Sequence, residues 1–593
     1  MTPFSPRCDP ACRRPENGRA ALMVLVVTAL SVVALAFWFA RRPAGPGILQ
    51  EITPGGEIVA SIRSDPSTYN RYAPGGANAA TELLSLLLHA RLIRVDRATD
   101  ELEPMLAEGW TRSDDGLTYT VRLRPGIAFS DGRPFTSADV LFSFRVAYDD
   151  GVRSPVRSAV EINGKPIEVS APDDLTVVLR LPEPYAPGLR LLDNLPILPR
   201  HRLEGALGEG RFADAWSPSR PLDEIAGLGP FVLAEHVSGQ RLVLTRNPQY
   251  FRRDASGVQL PYLDRLTLAV VPDQTAEALR LEAGETDLMY SGEIRPQDYA
   301  SFQRAAGDGR LRLLDVGVGL DPDFLSFNLR PERARDPRAA WLLRREFRQA
   351  VSWAVDRQAI ADTVYLGAAV PVSGPITPGN RTWHAPDLPA HPHDPARARA
   401  LLASLGLEDR DGDGMLDDAR GAPVRFSILT QAGHNRERVS TVVQEQLRQI
   451  GMAVDVVTMD PRGLFARWNA GDYDAMYFGL QASSTDPWLV PEFWLSSGAF
   501  HFWHPKQARP ATEWEARIDA LMRDHAGEAD LDRRRQAFTD VQRLFAEQLP
   551  SIYFVAPRVT LATSARVLNP TPAPQIPQLL WSADTLAVSG PRR

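Results

Sequence analysis

The segment between Val424 and Pro487 constrains the fold most, because it alternates strand-like and helix-like patterns over a short length. Apolar and polar residues alternate along Val424–Thr430, as in a half-buried strand. A helical repeat then ends at Gly451, and strand patterns follow at Met452–Thr458 and Asp474–Leu480. Connections of this length favour parallel strands joined by right-handed crossovers. The sequence therefore predicts an open α/β sheet.

The loops after these strands are candidate ligand contacts, since ligands of open parallel sheets bind outside the carboxyl ends of the strands. The loops cover residues 430–435, 458–462 and 481–488. The last of them, QASSTDPW, is polar and turn-forming, and it ends in an indole. A plain surface turn is the alternative interpretation of the same residues.

One apolar segment, Ala20–Ala40, carries no charge and has the length that is needed to cross a bilayer. The residues that follow it, ARRPAG, make a poor cleavage site for a signal peptide. We therefore expect a cytoplasmic tail (1–19), an uncleaved transmembrane anchor (20–40) and a Pro/Gly-rich linker (41–52), with a cleaved signal as the alternative. Either arrangement places the rest of the chain outside the cytoplasm.

Composition excludes some functions of the exported part. The formal net charge of -7 gives no reason to expect nucleic acid as a partner. The two cysteines, Cys8 and Cys12, both precede the apolar segment, so the exported part has neither disulfides nor thiol chemistry. No GxSxG, HExxH or GxxxxGK[ST] motif is present. We expect a protein that is not an enzyme and uses no cofactor.

The clearest family signal starts at Glu101 and reads ELEPMLAEGWTRSDDGLTYTVRLRPGIAFSDGRPFTSADVLFSF. This run resembles the signature of the family 5 extracellular solute-binding proteins, the oligopeptide-, dipeptide- and nickel-binding receptors of ABC importers. The resemblance continues in family order through LPILPRHRLEG, GLGPFVL, RNPQYFRRDASGVQLPYLDRLTL, LEAGETDL, FNLR, REFRQAVSWAVDRQAIADTVYLGAAVP and DPARARALLASLGL. It covers nearly everything from residue 53 to 590. Such a match is specific for fold and for solute binding, and it says little about which solute is bound.

The resemblance implies an α/β, two-lobed periplasmic-binding-protein fold of type II, with hinged lobes, mixed sheets and an extra subdomain, preceded by the N-terminal transmembrane helix. The implied domains are lobe I (53–75, 198–316 and 553–590), the extra subdomain (76–197) and lobe II (317–552). Because the tail returns to lobe I, two crossing strands would join the lobes. The partners implied are a small solute, a separate ABC permease and ATPase, and the membrane through Ala20–Ala40.

The resemblance also bears on the solute. Peptide receptors of this family hold the ligand's ammonium with an aspartate in a GW--D---P pattern, and the corresponding segment here is GLQASSTDP, from Gly479 to Pro487. Ser483 stands in place of that aspartate, and a hydroxyl cannot neutralise a buried ammonium. Asp486 is the alternative carboxylate. We therefore expect a neutral or acylated solute, such as a modified peptide or a saccharide.

The candidate solute contacts combine the loop positions and the family match. They are Tyr69, Asn70, Trp383, Gln431, Asn435, Gln481, Ser483, Ser484, Asp486, Trp488 and Trp503.

Two patterns suggest metal ions. Asp409–Arg420, DRDGDGMLDDAR, resembles a calcium loop, but Arg420 occupies the twelfth position, where a bidentate glutamate is needed. We expect a tight turn there. His501 and His504 could ligate a metal but lack a convincing third ligand, so we expect no metal site.

The sequence thus predicts an anchored periplasmic receptor that delivers a solute to an ABC importer. The alternatives are a metal-chelate receptor of the nickel type and a solute sensor or scaffold of the same fold.

Overall fold

The computed structural model describes residues 53–432, 435–480 and 485–590. The predicted tail, anchor (Ala20–Ala40) and linker lie outside the described residues. Within the described ranges, none of the helices combines the length and the apolar character that a membrane span requires.

Strands and helices alternate along most of the chain. In chain order the strands are β1 (Glu57–Ile62), β2 (Ile93–Val95), β3 (Leu102–Pro104), β4 (Ala107–Arg112), β5 (Thr118–Leu123), β6 (Glu161–Ile162), β7 (Lys165–Pro166), β8 (Glu168–Asp173), β9 (Thr176–Arg180), β10 (Phe231–Val237), β11 (Arg241–Arg246), β12 (Arg265–Val270), β13 (Leu288–Glu293), β14 (Leu311–Val318), β15 (Phe324–Phe327), β16 (Ala369–Pro371), β17 (Arg425–Gln431), β18 (Ala453–Met459), β19 (Ala475–Phe478), β20 (Ser551–Tyr553), β21 (Val555–Ser564), β22 (Val567–Leu568) and β23 (Ala587–Val588). The α-helices are Ala79–Leu88, Ser137–Tyr148, Arg200–Gly208, Gln274–Glu282, Tyr299–Gly307, Ala339–Leu342, Arg345–Ala354, Arg357–Thr363, Pro395–Ser404, Asn435–Arg448, Pro461–Ala470, Pro491–Trp494, Glu513–Gly527 and Leu531–Gln548.

The first large sheet is mixed and runs in the order β10-β11-β12-β1-β13-β21-β14. Strand β1 is parallel to β12 and β13, whereas β21 is antiparallel to β13 and β14. The short strand β16 also pairs with β21, and the other strands come from three parts of the chain: Glu57–Ile62, 231–318 and Val555–Ser564. The exact domain boundaries stay a prediction.

A buried ion pair ties these three segments together. The Asp287 carboxylate accepts hydrogen bonds from the Val59 backbone N–H at 2.9 Å and from the Arg566 guanidinium at 2.7 and 2.8 Å. Arg566 also donates to the carbonyl oxygen of Glu57. Charge-assisted bonds of this kind are strong when both partners are fully hydrogen-bonded. The Asp287–Arg566 ion pair therefore holds the three chain segments of the first lobe together.

The second sheet contains the segment that opened the sequence argument, and it runs β18-β17-β19-β15-β20. Strand β17 is parallel to β18 and β19, as predicted, and the helix Asn435–Arg448 makes the crossover. Val439, Val443 and Leu447 form its buried face. Gly451 has φ 88°, a left-handed conformation that suits glycine at the end of a helix. The predicted α/β architecture is confirmed here.

A third sheet, β4-β5-β9-β8, lies in the part predicted to be the extra subdomain. Its first hairpin turns at Gly116, where φ is 73°. The following helix, Ser137–Tyr148, begins with a capping box in which Thr136 and Asp139 satisfy each other's backbone N–H groups.

Two short connections join the two large sheets. The chain passes from β14 in the first sheet to β15 in the second, and it returns from β20 to β21. Strand β14 pairs with β21 and β15 pairs with β20, so both connections cross side by side. The two crossing strands predicted from the family resemblance are therefore present.

The aromatic-rich part of the second lobe is organised by one buried carboxylate, Glu515. It accepts hydrogen bonds from Trp503 Nε1 at 3.0 Å, Gln507 Nε2 at 2.8 Å and Thr512 Oγ1 at 2.7 Å, and it lies 3.2 Å from His501 Nε2. Burial alone would raise the pKa of Glu515, but the hydrogen bonds from His501, Thr512 and Gln507 outweigh burial and lower it to about 2.

This network makes stability depend on pH. Because the folded pKa of Glu515 lies below its ordinary value of 4.5, its contribution is complete above pH 4.5 and is lost as pH falls from there towards 2. Glu515→Gln should lower the free energy of unfolding at pH 7 by about 1.5–3 kcal/mol, with a smaller loss at pH 3. Urea unfolding followed by tryptophan fluorescence measures both values. The exposed Glu513→Gln, in the same helix, should leave both nearly unchanged, and equal losses for the two variants would contradict this assignment.

Candidate functional site

Two sizeable cavities of the described residues lie between the two lobes. A cavity of about 440 Å³ is lined on one side by residues of the 76–197 segment and on the other by Trp488, Leu489 and Pro491 of the second lobe. A second cavity of about 390 Å³ lies at the two strand connections and includes Asp323, Arg436 and Leu480. Both volumes fall in the range of roughly 300–1,000 Å³ that is typical of small-molecule sites. Ile576 lines both, so the two cavities adjoin in one cleft.

The larger cavity is rich in charge, and most of the charges are already matched. Arg71 pairs with Glu82 at 3.0 Å, and Arg190 pairs with Asp100 at 3.0 Å. Arg97 donates to the carbonyl oxygen of Ile576 and forms no salt bridge with a described residue. Burial lowers the pKa of Arg97, as expected when a cation is held away from water with little compensation.

Two contacts cross the cleft and bring the subdomain against the second lobe. Thr485 Oγ1 donates to the carboxylate of Asp100 at 2.6 Å, and the Ala186 backbone N–H donates to the carbonyl oxygen of Ala526 at 2.7 Å. Asp100 has φ 65° and is held by Arg190, so its carboxylate is positioned before it meets Thr485. These contacts stabilise a closed arrangement of the two walls.

Trp488 is the predicted contact that the structure places on the cleft. Its backbone N–H donates to the carboxylate of Asp486 at 3.0 Å, which fixes the short turn Pro487–Leu489. Its side chain is almost wholly enclosed, and the indole forms part of the wall of the larger cavity. The apolar indole of Trp488 therefore lines a cavity whose other walls carry charged side chains.

Asp486 does not face the cleft as a free carboxylate, which corrects its candidate role as the alternative ammonium partner. It lies 2.9 Å from Arg534 Nη2, in a pair whose two side chains are both buried, and His525 lies 3.7 Å away. Burial alone would raise its pKa, but the hydrogen bond from His525 and the charge of Arg534 lower it. Its negative charge is therefore committed to the protein interior.

Two predicted tryptophans are also interior. Trp383 packs under the guanidinium of Arg534, which lies 4.8 Å from the ring centroid, and against His525. Trp503 is 1% exposed and donates to Glu515. Both indoles therefore support the wall from behind, which corrects the expectation that they contact the solute.

Tyr69 and Asn70 hold the loop after β1 rather than a ligand. The Tyr69 hydroxyl is hydrogen-bonded to His236, which in turn contacts Asp65 at 3.2 Å. The Asn70 amide donates to the carbonyl oxygens of Phe212 and Ala215. Because these polar atoms are satisfied within the protein, the structure assigns both residues a local structural role.

Gln431 and Asn435 lie close to the smaller cavity without lining it. The side-chain amide oxygen of Gln431 accepts a hydrogen bond from Arg436 Nη1 at 3.1 Å, and Asn435 is the first residue of its helix. Arg436 itself lines the cavity, pairs with Asp323 at 2.9 Å and lies over the Phe478 ring at 4.6 Å. A side chain at Gly479 would collide with Asp323, since an added Cβ would lie 1.9 Å from Oδ1.

The remaining predicted contacts, Gln481, Ser483 and Ser484, lie outside the described residues. The residues on either side of that segment, Leu480 and Thr485, line cavities of the cleft. Their part in solute binding stays a prediction.

Among the described residues, His501 and His504 do not form a metal site. His501 uses both ring nitrogens, at Phe493 and Glu515. Within the described ranges, the one group of three or more potential ligands that comes together is Asp409, Asp411 and Asp413, which are exposed. Asp409 accepts hydrogen bonds from the Gly412 and Gly414 N–H groups. That the loop is a turn and not a calcium site stays a prediction.

Sequence reasoning missed the charged residues of the cleft. Arg436 could have been found, because it directly follows a loop singled out by the strand-end rule. Asp100, Arg190 and Glu293 could not, because they are distant in sequence and no local pattern separates them from other surface charges.

Comparison with known proteins agrees with this architecture. A family model described as "Bacterial extracellular solute-binding proteins, family 5 Middle" matches residues 101–502. A "Probable ABC transporter-binding protein" of Deinococcus radiodurans is 26% identical over 606 residues, covering 97% of this chain and 98% of that protein. "Oligopeptide-binding protein AppA" of Bacillus subtilis is 26% identical over 564 residues, covering 93% and 95%.

A solved structure shows the same fold. The structure of Bacillus subtilis AppA in complex with a nonapeptide matches with a TM-score of 0.68 at 25% identity, covering 91% of this chain and 100% of that one. The resemblance drawn from the sequence motifs is thereby confirmed. Since the family model spans more than half of the chain and the fold agrees over nearly all of it, this protein belongs to the family 5 bacterial extracellular solute-binding proteins.

Proposed function

We propose that this protein is a receptor, not an enzyme, that captures a peptide-like solute in the cleft and presents it to the permease of an ABC importer. The observation that carries the proposal is a cleft walled by both lobes, which two adjacent strand connections join. The peptide complex of AppA supports a peptide-like solute. Residues 481–484 and Trp488 would contact it from the second lobe.

Binding would be coupled to closure of the lobes. A solute that touches both walls gains its full set of contacts only when the walls approach, so it shifts the population towards the closed arrangement. The Thr485–Asp100 hydrogen bond would add to closure without contacting the solute. A permease could then recognise the closed form.

The chemistry of the cleft favours a solute without a free α-ammonium beside residues 481–486. Ser483 replaces the family's aspartate there, and the nearby Asp486 is neutralised by Arg534. An unpaired buried charge costs several kcal/mol. N-acylated or otherwise modified peptides avoid that cost, and a saccharide is the second candidate.

A thermal-shift panel tests the solute class. Wild-type protein should be stabilised more by N-acylated peptides than by the same peptides with free amino termini, and Ser483→Asp should improve the response to free peptides. Oligosaccharides form the third arm. Tight binding of free peptides that is insensitive both to N-acylation and to Ser483→Asp would contradict the assignment of residue 483.

Trp488 should supply apolar contact area to the solute. With the strongest binder from the panel, Trp488→Ala should weaken binding by roughly 1–3 kcal/mol, in line with the loss of buried aromatic surface, and Trp488→Phe should restore most of it. Calorimetry on folded protein measures the change. Trp503→Phe is the matched control, because that indole lies behind the wall, and it should alter stability but not affinity. An affinity loss at Trp503 equal to that at Trp488 would contradict this placement.

We also infer that Ala20–Ala40 remains attached and tethers the receptor to the outer face of the inner membrane. Its length and the poor cleavage site support this inference. Intact-mass measurement of the protein purified from membranes should give the uncleaved chain. A mature chain that starts near residues 41–47 would contradict anchoring while leaving export intact.

A further inference from the structure

Glu293 is the last residue of β13, and the proposed closure of the lobes gives its carboxylate no role. It lines the smaller cavity at the strand connections. Its neighbours in the chain, Gly292 and Ile294, are buried, and Ile294 packs into a core cluster, whereas Glu293 is exposed to the cavity. The backbone next to it is fixed, since the Ile294 N–H donates to the carbonyl oxygen of Thr560 at 2.9 Å. The carboxylate is thus held on a rigid edge of the cleft.

Glu293 forms no salt bridge with a described residue, although the charge of Arg63 acts on it from a distance. The cation that acts on it most, Arg63, forms a salt bridge with Glu277 at 2.7 Å. The guanidinium in the same cavity, Arg436, is engaged by both carboxylate oxygens of Asp323. Both nearby cations are therefore committed to other carboxylates.

Among the described residues that line the smaller cavity, carboxylates outnumber guanidinium groups. Three carboxylates, Glu293, Asp321 and Asp323, line it together with one guanidinium, Arg436. Burial raises the pKa of Glu293, because its ionised form is partly removed from water. A cation bound beside Glu293 would favour the ionised form of its carboxylate.

We propose that Glu293 selects for a positively charged group on the solute, an ammonium or a guanidinium seated in the smaller cavity. The inference rests on the proposed function, since it concerns the smaller cavity of the same cleft. Because Ile576 borders both cavities, one extended solute can touch Trp488 and reach Glu293.

Matched peptides test the proposal by calorimetry. One N-acetylated peptide carries lysine, the second carries norleucine at the same position, and a third carries norleucine with a free amino terminus. Placing the lysine at each position of the peptide in turn shows which peptide residue occupies the smaller cavity. Wild-type protein should bind one N-acetyl-lysine peptide about 10- to 100-fold more tightly than its norleucine partner, the range expected for a charge-assisted hydrogen bond. A preference for the free-amine norleucine peptide would assign the α-ammonium as the cation instead.

Glu293→Gln is the critical variant, since it keeps the shape and removes the charge. It should abolish the preference for the cation and leave affinity for the N-acetyl-norleucine peptide unchanged, whereas the exposed Glu285→Gln should retain the preference. The melting temperature of Glu293→Gln should be equal to or above that of wild type, because an uncompensated carboxylate has been removed.

The outcomes separate this inference from the function on which it rests. Equal affinity for lysine and norleucine peptides in wild type would overturn the role of Glu293 and leave peptide binding standing. A preference that survives Glu293→Gln would place the cation elsewhere and also overturn it. Failure of every peptide to bind would overturn the proposed function itself.

Discussion

The structure depends first on the double crossing between its two sheets. Strands β14 and β21 pair in one lobe, and their direct continuations β15 and β20 pair in the other, so the lobes are joined by two adjacent extended segments. Such a connection keeps the lobes in register while leaving bending at a few backbone torsions as their main freedom. It also places the smaller cavity, with Glu293 and Arg436, directly beside the β14–β15 connection. Any solute that fills this cavity would contact that connection.

Buried charges stabilise the walls of the cleft by being fully matched. Asp287 with Arg566 joins three chain segments in the first lobe, while Asp486 with Arg534 holds the turn that carries Trp488 in the second. Removing either partner of such a pair would leave an uncompensated charge in a region of low dielectric, which costs several kcal/mol. The pairs therefore act on the site indirectly, by fixing where its side chains stand. Preorganised walls lower the entropic cost of binding.

Side chains that lack a bonded partner distinguish the binding surface from the residues that support it. Around the larger cavity, Arg71 and Arg190 form salt bridges with carboxylates. In the interior, Trp503 donates a hydrogen bond to Glu515, and Trp383 packs against the guanidinium of Arg534. Glu293 is different, since it lines the smaller cavity and forms no salt bridge with a described residue. A carboxylate in that setting can discriminate in favour of a cationic solute, because a bound cation would favour its ionised form.

The sequence by itself determined the fold and the family, because both depend on local signals. The alternation in Val424–Thr430, the helix stop at Gly451 and the ordered motifs from Glu101 onward each follow from neighbouring residues, and the structure agrees with them. Only the tertiary structure decided which candidate contacts are available to a solute. Trp488 and Trp503 are both tryptophans in one aromatic-rich segment, yet one lines the cavity and the other donates to Glu515 behind it. Likewise, the sequence alone does not show whether Asp486 or Glu293 is paired with a cation. In the structure Asp486 forms a salt bridge with Arg534, 48 positions away in the chain, and Glu293 does not. Whether a charge or an indole is free depends on partners brought together by folding, and no local pattern records them.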